Sequence, residues 1–157
     1  SNEAFRFWQH LANAGLIEGQ YDGITHGASV VSATTANSPK SKLSTALWFV
    51  WNFGTYSAGT PFFDGFYGNS FEFGGILADA DPVVGLLRPE ELWNIDTKMD
   101  DGKPATGKVS LRSGTEADLG TCTTATGTTA QKAAMLTADY KLTNTNKACS
   151  IIFRSLI

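Results

Sequence analysis

The first apolar positions of the chain follow the period of an α-helix. Apolar residues recur at spacings of three and four, which places them on one stripe of a helix over residues 3–14. They are Phe5, Trp8, Leu11 and Ala12. Gly15 is expected to end this helix, because glycine enters the left-handed region without a Cβ clash. Phe7 lies off the stripe, so we expect another element, or a segment before residue 1, to cover it.

Four later segments have the composition of strands. Residues 46–53 are dense in aromatic and β-branched side chains and predict a central strand. Residues 70–78 predict its antiparallel partner, with Glu72 between two phenylalanines and therefore on the opposite face from them. Residues 108–112 and 150–157 predict two further short strands.

A second helix is predicted to begin at Pro89, because the first helical position needs no backbone N–H, and to end at Gly102. Residues 19–42 are rich in Gly, Ser, Thr and Asn and predict a loop with a short strand at 29–35. Together these elements predict an α+β fold, with the N-terminal helix packed on one face of a small antiparallel sheet. A chain of this length forms one domain, spanning residues 1–157.

The composition suits an exported protein with polar loops. Charged residues make up 17% of the chain, below the roughly 25% of ordinary soluble domains. Twelve basic and fifteen acidic residues give a net charge of −3, and Lys and Arg are not clustered in the sequence. We therefore expect no nucleic-acid partner.

The sequence offers no motif that predicts catalysis. His10 and His26 lie outside the patterns that mark activated nucleophiles or zinc-dependent hydrolysis. Glu90 and Glu91 fall in the first turn of the second helix, where the helix dipole favours acidic residues. We expect a non-enzymatic protein without an obligatory cofactor.

The two cysteines predict a disulfide. Cys122 and Cys149 are 27 positions apart, without the paired spacing of a zinc site. A disulfide between them would place the protein in an oxidising compartment. The alternative is two separate buried thiols in a cytosolic protein.

The end of the second helix is unusually acidic. Asp96, Asp100 and Asp101 crowd a helix terminus whose partial negative charge repels them. Three interpretations are open: a structural turn in which Lys98 and Lys103 offset the charge, a Ca²⁺ site, or an acidic face that binds a partner.

Aromatic residues cluster in the middle of the chain. They can pack in the core, or they can form an exposed surface that contacts a sugar or a neighbouring subunit. The candidates for that contact surface are Trp48, Trp51, Phe62, Phe63, Phe66 and Tyr67.

Two stretches resemble the type IV pilin-like proteins, which include pilus subunits and the pseudopilins of type II secretion. Residues 7–19, FWQHLANAGLIEG, are similar to the end of the long pilin helix and the loop after it. Residues 95–109, IDTKMDDGKPATGKV, are similar to a helix-to-strand turn of pilin-like chains. The cysteine pair also resembles the disulfide that closes the C-terminal region of many pilins.

This resemblance implies a fibre subunit in the bacterial cell envelope, periplasmic or extracellular, whose partners are other pilin or pseudopilin subunits. The family's leader and apolar N-terminal helix are not in this sequence, and we expect them upstream of Ser1, where the helix would anchor the protein in the inner membrane before assembly. The Phe7 side of the first helix, together with that upstream segment, would form the assembly surface. The alternative function is a secreted module that binds a carbohydrate or a protein through its aromatic surface.

Overall fold

The computed structural model describes residues 2–43, 45–57, 62–112 and 118–155. The fold is α+β, as the sequence predicts, and it is built around a four-stranded antiparallel sheet. In chain order its helices and strands are α1 Glu3–Asn13, β1 Ala46–Asn52, β2 Thr55–Tyr56, β3 Gly65–Phe66, β4 Asn69–Gly75, α2 Pro89–Met99, β5 Val109–Arg112, α3 Leu119–Cys122, α4 Thr129–Ala133 and β6 Ser150–Phe153.

The strand order in the sheet is β1-β4-β6-β5. β1 pairs with β4 over its whole length, from Ala46 opposite Gly75 to Asn52 opposite Asn69, so the predicted pair is confirmed. The prediction that residues 46–53 form a central strand is wrong, because β1 lies at one edge of the sheet and the last strand of the chain lies inside it. Two positions of the predicted last strand, 156 and 157, fall outside the described residues.

Helix α1 packs beside β1. The rings of Phe5 and Phe49 have centroids 5.3 Å apart, and those of Trp8 and Phe71 are 5.8 Å apart. Since Val50 is the residue opposite Phe71, Phe49 and Phe71 point to opposite faces of the sheet. The helix therefore contacts side chains of both faces at the β1 edge and does not lie over the middle of one face.

Both faces of the sheet are buried. Phe73 and Ile151 lie on one face, in a core cluster that includes Leu92 of α2. Ile152 points to the other face and packs with Phe62 and Tyr67. A polar residue that alternates with apolar ones on these strands is consequently also enclosed.

The loop after α1 contains turns, and the short strand predicted at 29–35 is not formed. The fully buried side chain of Asn37 organises this loop by donating to the carbonyls of Ile24, at 2.9 Å, and Ser32, at 3.0 Å. It also accepts the backbone N–H of Thr34 at 2.8 Å. These side-chain bonds take the place of a strand ladder for the backbone groups of the loop.

The predicted starts of both long helices and the predicted end of α1 are confirmed, whereas α2 ends at Met99, three positions before the predicted stop at Gly102. α2 has Pro89 at its first position, and the side chain of Glu91 accepts the backbone N–H of Arg88 at 2.8 Å. Gly15 and Gly102, which follow the two helices, have φ of +68° and +72°, a region that favours glycine. Among the described residues no helix has the length and apolarity needed to span a membrane.

Candidate functional site

The three aspartates of the acidic turn meet at the end of α2. Asp96, Asp100 and Asp101 each offer a carboxylate oxygen within 4.8 Å of the others. Two ligands on opposite sides of a Ca²⁺ ion lie about 5 Å apart, so the spacing is compatible with a shared cation. The turn interpretation predicts instead that each carboxylate is used by the protein itself.

Asp96 is fully buried and links α2 to the C-terminal region. It accepts a hydrogen bond of 2.7 Å from the Tyr140 hydroxyl and one of 3.2 Å from the Gly102 N–H. Burial raises the pKa of Asp96 to about 6, although both hydrogen bonds act in the opposite direction. Burial, followed by the charge of Asp96, also raises the pKa of Tyr140.

Asp100 and Asp101 shape the turn that follows. Asp100 accepts the backbone N–H groups of Lys108 and Val109 at the start of β5. Asp101 accepts the Lys103 N–H at 2.8 Å and the Thr106 hydroxyl at 2.6 Å. All three carboxylates thus have hydrogen-bond donors within the protein, which supports the structural interpretation. The calcium and partner-binding interpretations of this turn stay untested.

The Lys103 ammonium group pairs with a carboxylate outside the acidic turn, while the charge of Asp101 in the turn acts on it as well. Its Nζ lies 2.6 Å from Asp139 Oδ1, so it connects the turn with the C-terminal loop. This ion pair raises the pKa of Lys103.

The predicted disulfide is confirmed between Cys122 and Cys149. The two Cα atoms are 5.4 Å apart, in the usual range for this bond. Cys149 immediately precedes β6 and forms an isolated bridge with Leu87, and the Cys122 carbonyl accepts the Lys141 N–H at 2.9 Å. The bond therefore fastens the loop before β6 to the end of α3.

The six residues of the predicted aromatic contact surface are divided between the core and the surface. Phe62, Phe63 and Tyr67 are at most 2% exposed, so the prediction of a contact surface is wrong for these three and the core interpretation holds for them. Trp48 and Trp51 are half-buried. Phe66 is 64% exposed.

A buried charge network on β4 was missed by the sequence analysis. Glu72 is fully buried and accepts the Trp51 indole N–H at 2.8 Å. Glu72 Oε1 lies 3.1 Å from Arg112 Nε. The Arg112 guanidinium donates two hydrogen bonds to Asp81 Oδ2, one from Nε at 3.1 Å and one from Nη2 at 2.7 Å. Burial and, next, the nearby Asp81 charge raise the pKa of Glu72 well above its usual range.

A buried cation, Arg154, lies at the other end of the sheet. Arg154 donates to the Tyr67 hydroxyl at 3.0 Å, to the Ala105 carbonyl at 3.2 Å and to the Ser110 hydroxyl. Its guanidinium also lies 4.2 Å from the centre of the Tyr67 ring. Burial raises the pKa of Tyr67 to about 12, although the Arg154 charge opposes this rise.

Two surface depressions flank α1. The first, which we call the edge groove, has a volume of about 590 Å³ and lies between α1 and the outer edge of β1. Side chains that line it include Ala4, Phe7, Leu11, Val30, Val50 and Trp51. The second, which we call the aromatic cleft, has a volume of about 370 Å³ and is lined by Trp8, Tyr21, Trp48 and Phe71 together with Ile17, Glu18 and Pro39.

The histidines are separated in the structure. His10 lines the edge groove, and the imidazole of His26 pairs with Asp22 near the surface. In the described part of the chain, no serine or threonine hydroxyl hydrogen-bonds to either ring. The absence of catalysis stays a prediction.

Comparison of the chain with protein-family models, with curated proteins and with solved structures found no match.

Proposed function

We propose that this chain is the globular part of a pilin-like fibre subunit of the bacterial cell envelope, non-enzymatic and active through assembly. The observation that carries the proposal is the position of α1. The helix packs at the β1 edge of an antiparallel sheet, and a disulfide closes the region before the last strand. The resembling stretches lie at the end of that helix and at the turn after α2.

The edge groove is the subunit contact surface in this proposal. Helix α1 uses Phe5 and Trp8 for the interior, where they are 0% and 7% exposed. Phe7 and Leu11 line the groove and are half-buried. Apolar side chains that remain partly exposed around a groove are typical of surfaces that bind another protein.

The strand that borders the groove also has free backbone groups. The Trp48 N–H points away from β4 and donates to the Pro39 carbonyl at 3.0 Å. Backbone groups alternate in direction along an antiparallel strand, so those of Val50 and Asn52 also point away from β4. Among the described residues, none forms a backbone hydrogen bond with these groups. An unpaired edge of this kind favours contact with another chain. The partner in this proposal is another copy or a related pilin or pseudopilin subunit.

A charge placed in the groove tests this surface. Val30 lines the groove and is 63% exposed, so Val30→Arg should leave the melting temperature unchanged. In producing cells it should strongly reduce the amount of this protein in sheared fibres or membrane-associated multimers. Leu142→Arg is the matched control, because Leu142 is 49% exposed and lies outside the groove. Equal multimer yields from the two variants would contradict the proposed surface.

The native gene provides an independent test. The proposal requires codons for a short basic leader and an apolar helix directly before Glu3. A conventional cleavable signal peptide at that position would contradict it and would favour the secreted binding module.

A further inference from the structure

We infer that the aromatic cleft binds a small organic cation that carries a quaternary ammonium group, such as the trimethylammonium group of choline. The inference concerns a different surface from the edge groove and does not depend on assembly into a fibre.

The cleft brings together aromatic rings from four separate segments. Trp8 comes from α1, Tyr21 from the following loop, Trp48 from β1 and Phe71 from β4. Trp8 and Phe71 are in contact, with ring centroids 5.8 Å apart. The volume of about 370 Å³ is at the lower end of the range for small-molecule sites, so a small ligand is favoured.

The charge of the cleft favours a cation. Aromatic faces carry partial negative charge and attract cations within about 6 Å of the ring centre. The acidic residue Glu18 lies at the border of the cleft, and no Lys, Arg or His is among the described residues that line the cleft. Aromatic cages of this composition recognise quaternary ammonium groups.

The scarcity of polar groups selects the class of cation. The Tyr21 hydroxyl already donates to the Glu18 carbonyl at 3.1 Å, so this donor is not free for a ligand, and the other rings and chains that line the cleft are almost entirely apolar. A primary ammonium has three N–H donors and a guanidinium has five, and most of them would lose their water partners without replacement. A quaternary ammonium has no N–H group. A sugar would require several donors and acceptors that the cleft lacks.

The loop backbone fixes the position of the Tyr21 ring. Gly19 has φ of +107°, and a Cβ at this position would lie 2.7 Å from Tyr21 Oη. Gly19→Ala would therefore displace the ring at one wall of the cleft. A φ of +107° also disfavours any side chain, so Gly19→Ala strains the exposed loop beside the cleft as well.

Titration with three ligands at constant ionic strength tests the inference. The probes are choline, tetramethylammonium and 3,3-dimethylbutan-1-ol, the last a neutral compound of the same shape as choline. We expect both cations to shift the indole N–H signals of Trp8 and Trp48 in saturable fashion, with Trp93 on α2 unaffected. The neutral alcohol should bind about five- to thirtyfold more weakly, because it loses the cation–π attraction.

Three variants separate the cleft from a general loss of structure. Glu18→Gln removes the charge from an exposed side chain and should weaken choline binding severalfold while leaving the spectrum otherwise unchanged. Gly19→Ala should weaken it as well, and Trp93→Ala should not. Equal affinity for choline and the neutral alcohol would overturn the inference, as would a sugar that competes with choline or the absence of saturable cation binding.

Discussion

Removal of the disulfide by Cys122→Ala together with Cys149→Ala should cause a large and calculable loss of stability. The bond closes a loop of 27 residues, which on the chain-entropy model contributes about 3.5 kcal/mol at 25 °C. Both cysteines are fully buried, so alanine preserves the apolar character of the site. For a domain of this size each kcal/mol corresponds to about 2–4 °C, and we expect a fall in melting temperature of roughly 7–14 °C.

Urea unfolding followed by circular dichroism measures this difference directly. The wild-type protein with a reducing agent should unfold at nearly the same urea concentration as the double variant, which serves as the control for the substitutions themselves. A loss below about 1 kcal/mol would refute the reasoning, because the loop before β6 would then not depend on the covalent link. Two reactive thiols in the denatured, unreduced wild-type protein would refute it as well.

Three further predictions concern the buried polar groups and the acidic turn. Tyr140→Phe should lower the free energy of unfolding by about 1.5–3 kcal/mol in urea melts, because Asp96 loses a charged hydrogen bond, and the loss should be smaller in an Asp96→Asn background. The folded protein holds the Glu72 proton more tightly than the unfolded chain, because the pKa of Glu72 is raised on folding. This effect stabilises the fold fully below about pH 4.5 and is lost as the pH rises through the folded-state pKa of Glu72. Melts across this range should show a slope that Glu72→Gln reduces, and an unchanged slope would exclude Glu72 as its source. Melting temperatures with calcium and with a chelator should coincide, because the carboxylates of the turn accept internal hydrogen bonds, and a calcium-dependent rise lost in Asp100→Ala would instead establish a metal site.

The features predicted correctly from the sequence depend on local signals. Pro89 marks the start of α2, and Gly15 and Gly102 follow the helix ends because only the nearby backbone decides these positions. The order of the strands in the sheet could not be predicted from such local signals. β1 lies at the edge and β6 inside the sheet because of contacts between residues far apart in the chain. The composition of a strand indicates whether its faces are buried, but it does not indicate which strands lie beside it.

The environment of Glu72 illustrates the same limit. Side chains alternate between the two faces along a strand, so Glu72 points to the other face of the sheet from its aromatic neighbours. If that face were solvated, Glu72 would be exposed. The second face is covered by residues such as Phe62 and Tyr67, so Glu72 is enclosed and needs Trp51 and Arg112 as partners. An acidic residue within a strongly apolar strand was the available signal.

The candidate sites differ in how far the sequence could predict them. The disulfide and the acidic turn involve residue types whose chemistry is evident from the sequence. The aromatic cleft combines Trp8, Tyr21, Trp48 and Phe71, which are distributed over α1, a loop and two strands. Of these four, only Trp48 was among the contact residues predicted from the sequence, and the prediction also included Phe62, Phe63 and Tyr67, which pack in the interior.

The central claim is that the edge groove contacts another subunit, and photo-crosslinking in producing cells tests it most directly. A benzophenone amino acid would replace Val30 in the full-length protein, and a second preparation would carry it at Leu142, outside the groove. We predict crosslinked multimers from position 30, joined to this chain or to another subunit with an apolar N-terminal helix, and few from position 142. Only monomer at position 30, or adducts confined to proteins without such a helix, would contradict the account.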